Sequence, residues 1–235
     1  MIGGHRGASA RLPENTLAAF EAALEDGAEM IELDVRLTRD GRLAVVHDED
    51  TRRVTGRDGL VARLTMDELR APDAGHAEGA RGAGTRIPEL GEVFALARGR
   101  VIVNVEVKAG TAALPALTRS LAAHAMAASV ILSAFEPEVV RAAARLPARP
   151  LTGLLVDRLA PDPVADARAV GADLLHGRHD LLTSPAPIAA LHDAGIGVLA
   201  WTVNSADEAR RLAALGVDAV LGDDPRLLRE ALAQP

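Results

Sequence analysis

Eight short apolar or alternating runs, each followed in time by a segment of helical spacing, constrain this 235-residue chain more than any other feature. The runs cover residues 2–6, 30–36, 101–108, 130–135, 151–156, 172–176, 198–203 and 217–221. The helical segments cover 15–24, 90–97, 112–125, 137–145, 163–170, 185–194, 206–215 and 225–232. In the first of these, Leu17, Phe20, Ala23 and Leu24 share one face, and Asn15 or Thr16 is available as a cap. Proline opens the segments at 137, 163, 185 and 225, while Gly27, Gly171, Gly195 and Gly216 follow helix ends. The count and the length match a (β/α)8 TIM barrel, which typically takes about 250 residues. A doubly wound open sheet is the alternative, but neither common Gly-rich phosphate loop is present. The expected class is therefore α/β, with residues 1–235 forming a single barrel domain.

One stretch breaks the alternation. A second extended run at 43–47 follows the run at 30–36 too closely for a parallel crossover, and Asp40-Gly41 is a good hairpin turn. This run should fold back antiparallel on the second strand and stand outside the barrel, bringing His47 nearly opposite Asp34. Residues 49–88 are rich in Gly, Arg and Asp and too long for an ordinary loop, so they read as a lid or insertion on the barrel mouth. Within them the 74–84 run of Gly, Ala and Arg matches no motif and is expected to be mobile.

Composition removes several function classes. Aromatic residues make up 2% of the chain, with no Tyr, one Trp and three Phe, and the net charge is −7. Stacking-based or phosphate-backbone binding of nucleic acid is therefore not expected, nor is a polybasic membrane surface. No run approaches the ~18 apolar residues of a membrane span, so membrane insertion is not expected either. His5 and Arg6 arrive before an apolar signal region could form, so the expected location is cytoplasmic. The absence of Cys excludes thiolate metal sites and thiol nucleophiles. Nothing in the sequence fixes an oligomeric state.

Strand alternation locates the chemistry. In 30–36, Ile31, Leu33 and Val35 share one face and Glu32, Asp34 and Arg36 the other. In 101–108, Val103, Val105 and Val107 oppose Asn104, Glu106 and Lys108. The apolar faces are needed against helices, so the polar faces must line the barrel mouth. Glu32, Asp34 and Glu106 would then face one another. Two arrangements relieve that repulsion: a hard divalent cation with oxygen ligands, or an internal ion-pair network with Lys108 and Arg6. His5, at the end of the first run, and His47, from the hairpin, converge on the same carboxylates. Two His, three carboxylates, Arg6 and Lys108 suit phosphodiester hydrolysis by acid–base catalysis beside charge neutralisation.

The stretches His5-Arg6-Gly7, Pro13-Glu14-Asn15-Thr16, Ile31-Glu32-Leu33-Asp34-Val35, Thr38-Arg39-Asp40-Gly41, Val46-His47-Asp48, Val105-Glu106-Val107-Lys108 and Trp201-Thr202-Val203-Asn204 resemble the glycerophosphodiester phosphodiesterases. The resemblance is ordered, runs from residue 2 to about 225, and implies a phospholipase-C-like barrel. The implied reaction splits a small-molecule glycerophosphodiester into an alcohol and sn-glycerol 3-phosphate. The implied roles are His5 and His47 as the acid–base pair, and Glu32, Asp34 and Glu106 as ligands of one divalent ion, Mg²⁺ or Ca²⁺. Arg6 and Lys108 would contact phosphate, and Ser133, Phe135 and Trp201 would border the substrate. The chain departs from the family pattern at Gly222, where a Thr usually precedes Asp223, and at Asp50-Thr51, where a Thr-Leu pair is usual. Three rival readings are a lyase that stops at a cyclic phosphate, a Schiff-base enzyme using Lys108, and a non-catalytic binder of phosphorylated glycerol. Elsewhere, Phe20 and Phe94 are expected in the core, and His176 and His179 as surface or polar-contact residues.

Overall fold

The computed structural model describes residues 1–76 and 84–233. Most of the 74–84 run thus lies outside the described residues. Strand β1 spans Ile2–Gly4, β2 Met30–Leu37, β3 Leu43–Val45, β4 Ile102–Val107, β5 Val130–Ala134, β6 Leu151–Val156, β7 Leu174–Arg178, β8 Gly197–Trp201 and β9 Ala219–Gly222. The helices are α1 (Leu17–Glu25), α2 (Arg52–Thr55), α3 (Met66–Arg70), α4 (Leu90–Ala97), α5 (Leu114–His124), α6 (Pro137–Ala143), α7 (Pro163–Val170), α8 (Pro185–Asp193), α9 (Ala206–Leu215) and α10 (Pro225–Ala233). All strands but β3 pair in parallel, and the β1–β2 and β1–β9 pairings close the ring. The fold is an eight-stranded TIM barrel with helices between the strands.

Two apolar layers hold the barrel together. Outside it, Ile31, Leu33, Val35, Val103, Val105 and Leu132 are buried with Phe20, Phe94, Leu117 and other helix residues. Each such aliphatic side chain contributes about 1.5–3 kcal/mol by leaving water. Inside it, Met30, Ile131, Leu199, Ala219 and Leu221 form a separate cluster. The alternation read from the sequence is therefore the division between these two layers.

Strand β1 is only three residues long and pairs with β2 at Met30 and Ile31 alone. Its brevity leaves the rest of that β2 edge open. The loop after β1 covers part of the edge, with the Arg6 N–H donating to Glu32 Oε2 at 2.9 Å. Farther along, β3 pairs antiparallel with Val35–Leu37, as the Asp40-Gly41 turn predicts. Asp34 accepts from the Val46 N–H at 3.0 Å, so His47 falls one residue beyond the position opposite Asp34.

The insertion is more ordered than its composition suggests. It contains α2, a 3-10 turn at Val61–Arg63, and α3 with a capping box between Thr65 and Glu68. Val54, Val61, Met66, Leu69, Ala74 and Ile87 bury one another against Ala44 and Val46 of the hairpin. This small core ties the insertion to the strand that carries His47.

Candidate active site

The carboxyl ends of β1, β2 and β4 meet the end of the hairpin around a cavity of roughly 200 Å³. His5, Arg6, Glu32, His47, Asn104, Glu106, Lys108, Phe135, Leu155, Trp201 and Leu221 line it. Asp34 is fully buried beside this set. Ser133 on β5 is also buried, two positions before the lining residue Phe135, and its hydroxyl finds no hydrogen-bond partner among the described residues. The structure therefore brings together every charged residue picked from the sequence, whereas Ser133 does not reach the cavity surface.

Each histidine is held by a carboxylate. His5 Nδ1 lies 2.7 Å from Asp223 Oδ1, and His47 Nδ1 lies 2.7 Å from Asp48 Oδ1. With the carboxylates ionised, Nδ1–H is the donor in both pairs, which fixes the tautomer and leaves each Nε2 free to exchange protons. His5 Nε2 stands 4.0 Å from Glu32 Oε2. Burial lowers the pKa of His5, but the Asp223 hydrogen bond and the Glu32 charge outweigh it and the net shift is upward. For His47, burial outweighs the attraction of Asp34 and Asp48, and the shift is downward.

The three acidic groups from β2 and β4 follow from register, since Glu32 pairs with Asn104 and Asp34 with Glu106. One oxygen from each of Glu32, Asp34 and Glu106 lies within 4.8 Å of the others. Burial, then repulsion from Asp34, pushes Glu32 up to about 8 and Glu106 up to about 7. Asp34 is held down despite its burial, chiefly by Arg6 and Lys108. Arg6 Nε lies 3.3 Å from Asp34 Oδ2, and Lys108 Nζ lies 3.5 Å from Asp34 Oδ1 and 2.5 Å from Glu106 Oε1. Two cationic side chains thus leave the carboxylates only partly compensated, and the buried Asp34 Oδ1 accepts no hydrogen bond among the described residues. An all-oxygen donor set with surplus negative charge fits a hard divalent cation.

Two backbone positions support this geometry. Arg6 and Asn15 adopt left-handed conformations, with φ of +56° and +57°. The φ cost of about 1 kcal/mol at each is met by local bonds. Asn15 donates from Nδ2 to Asp34 Oδ2 at 2.9 Å, and its Oδ1 accepts from the Asp34 N–H at 3.2 Å. Thr16, rather than Asn15, caps α1. The neutral side of the cavity is an aromatic corner. Phe135 and Trp201 meet edge-to-face at 5.7 Å, Lys108 Nζ lies 5.8 Å from the Phe135 ring centre, and Trp201 Nε1 donates to the His176 carbonyl at 3.0 Å.

Several functional contacts were not picked from the sequence. Asp48 and Asp223 stand in quoted or noted stretches, but only the fold shows that they orient the two histidines. His176 is a correction: it is completely buried inside the barrel, with no partner for either ring nitrogen among the described residues. His179 makes the expected kind of polar contact, to Glu208 at 2.8 Å. Phe20 and Phe94 are fully buried, as expected.

Known proteins share both the sequence and the barrel. Residues 5–227 match the model of the glycerophosphoryl diester phosphodiesterase family. A glycerophosphodiester phosphodiesterase of Caldanaerobacter subterraneus is 35% identical over 233 residues, covering 97% of this chain and 96% of that protein. One from Bacillus altitudinis is 32% identical, covering 95% and 94%. Among solved structures, an Oleispira antarctica phosphodiesterase in complex with the product sn-glycerol-3-phosphate superposes with a TM-score of 0.93 at 27% identity, covering 100% of this chain and 97% of that one. The chain belongs to the glycerophosphoryl diester phosphodiesterase family.

Proposed function

We propose that the protein hydrolyses small glycerophosphodiesters to an alcohol and sn-glycerol 3-phosphate. The observation that carries this reading is the convergence, in one small cavity, of two carboxylate-held histidines with Glu32, Asp34, Glu106, Arg6 and Lys108. Relatives of this chain are named for that activity, and a structural neighbour holds the glycerol 3-phosphate product.

Arg6 and Lys108 would bind the phosphate oxygens, Arg6 through its planar fork and Lys108 as a point charge. One of His5 and His47 would take the proton of the attacking hydroxyl through Nε2, and the other would protonate the departing alkoxide. Asp223 and Asp48 would keep both rings in the required tautomer. Phe135 and Trp201 would shield one side of the phosphate from water. Glu32, Asp34 and Glu106 would hold one divalent ion, Mg²⁺ or Ca²⁺, which when bound would offset charge building on the phosphoryl oxygens.

Lys108 is committed to ion pairs with Glu106 and Asp34, which disfavours the Schiff-base alternative. The nucleophile is either water or the substrate's own 2-hydroxyl, and the latter would release a cyclic phosphate. Phosphorus NMR of the products separates the two: direct hydrolysis gives glycerol 3-phosphate from the first turnover, while accumulating cyclic phosphate contradicts it. The substrate reading is tested with glycerophosphocholine, -ethanolamine, -glycerol and -inositol, each with Mg²⁺, Ca²⁺ or EDTA. Divalent-dependent release of glycerol 3-phosphate is expected, and no release from any of the four would refute it.

A further inference from the structure

Arg53, on α2 of the insertion, makes three short bonds to two carboxylates that belong to different parts of the site. Its Nε donates to Asp48 Oδ2 at 2.7 Å. Its Nη1 and Nη2 donate to Glu14 Oε2 and Oε1, both at 2.8 Å. Asp48 in turn holds His47 through its other oxygen, and Glu14 accepts from Arg6 Nη1 at 2.9 Å. One guanidinium on α2 therefore joins the loop between β1 and α1, which carries both Arg6 and Glu14, to the end of the hairpin.

Three features separate this contact from an ordinary surface ion pair. Both arms of the guanidinium fork are used, and the pair with Glu14 is bidentate, a geometry that fixes orientation as well as charge. The helix beneath it is anchored, because Val54 and Thr55 are buried and Val54 packs in the same small core as Val46, the residue before His47. The adjacent Arg52 shows the contrast: its guanidinium also forms a bidentate pair, but among the described residues it bonds to the single carboxylate of Asp58 and joins no second group, and its side chain is 72% exposed.

We propose that Arg53 is a positioning residue, through which the insertion sets His47 by way of Asp48 and Arg6 by way of Glu14. The role assigned to His47 and Arg6 rests on the function proposed above. A rigid clamp of this kind matters because a displacement of ~1 Å in a reacting group costs about a hundredfold in rate. Removing Arg53 frees Asp48 to rotate away from His47 Nδ1 and leaves Glu14 bound to Arg6 alone.

The test compares Arg53→Ala, Arg53→Lys and Arg52→Ala with wild type, following glycerol 3-phosphate release, Tm and the imidazole nitrogen–proton NMR signals. Arg53→Ala is expected to lower kcat about 10- to 100-fold through His47 and to raise KM through Arg6. Arg53→Lys, which keeps the charge without the fork, should fall in between, and Arg52→Ala should match wild type. Low millimolar guanidinium chloride should restore part of the lost kcat in Arg53→Ala, whereas sodium chloride at equal ionic strength should not. Rescue by a denaturant cation is opposite to what lost folding stability would give. The His47 Nδ1–H signal should be present in wild type and lost in Arg53→Ala, with the His5 signal retained. Kinetics of Arg53→Ala within twofold of Arg52→Ala, or an unchanged His47 signal, would overturn the proposal. A wild-type chain that releases no glycerol 3-phosphate refutes the functional reading instead, and the His47 signal then decides the clamp by itself.

Discussion

At the scale of single residues, the site and the barrel interior use opposite devices for polar groups. His5 and His47 each have a carboxylate at 2.7 Å, whereas His176 is buried with neither ring nitrogen bonded among the described residues. Burial alone drives His176 down to about 3 from its ordinary 6.5. The sign of its effect on stability follows. Above pH 6.5 it is neutral in folded and unfolded chains alike and has no influence. Between pH 6.5 and about 3 the unfolded chain gains a proton that the barrel excludes, and stability falls by up to about 1.4 kcal/mol per pH unit. His176→Leu should flatten the acid limb of a stability–pH curve measured by urea unfolding, and an unchanged limb would show that the ring finds water or a partner when protonated. Lys108 provides a second residue-scale prediction. Lys108→Met removes the ion pairs to Glu106 and Asp34 and the phosphate contact proposed for this side chain, so kcat/KM should fall at least tenfold; an unchanged value would place Lys108 outside the reaction.

At the scale of elements, parallel strands place chemistry by register, and glycine marks where that register is tightest. A Cβ on Gly153 of β6 would sit 2.5 Å from His176 Nε2, and that ring is enclosed on every side. Gly153→Ala should cost about 1–3 kcal/mol in unfolding free energy. Adding His176→Ala should recover part of the loss, giving a non-additive pair; strict additivity would mean that β6 shifts to accommodate the methyl. Period-two alternation made Glu32, Asp34, Glu106 and Lys108 legible from sequence, because their outward neighbours are uniformly Ile, Leu and Val. Asp40-Gly41 made the hairpin legible, and with it the approach of His47 to Asp34. Three features lacked such a signal. Asp223 meets His5 only after the barrel closes across 218 positions of sequence. The helices of the insertion span four and five residues, too short for their periodicity to stand out. His176 was misjudged because one polar residue in a short apolar run reads the same whether it faces water or a closed interior.

For the molecule as a whole, the barrel and the insertion divide the work between them. The barrel supplies the rigid carboxylates and the cations Arg6 and Lys108 beside them, and the small core of the insertion packs against Val46, the residue before His47. No helix among the described residues is long and apolar enough to cross a membrane. The partly compensated acidic cluster also has a consequence for global stability. A cation bound to Glu32, Asp34 and Glu106 only in the folded state should raise Tm in proportion to the logarithm of its concentration above Kd. Tm should therefore climb on titration with Mg²⁺ or Ca²⁺ and fall back with EDTA; a flat response to both ions would leave the ion-pair network with Lys108 and Arg6 as the whole answer.

The most direct test is the rate of glycerol 3-phosphate release by wild type and His47→Ala, each with divalent ion and with EDTA. Wild type should turn over only with the ion, recover when the ion is restored after chelation, and exceed His47→Ala by about 100-fold or more. Wild-type activity in His47→Ala, or full activity in EDTA, would contradict the mechanism proposed.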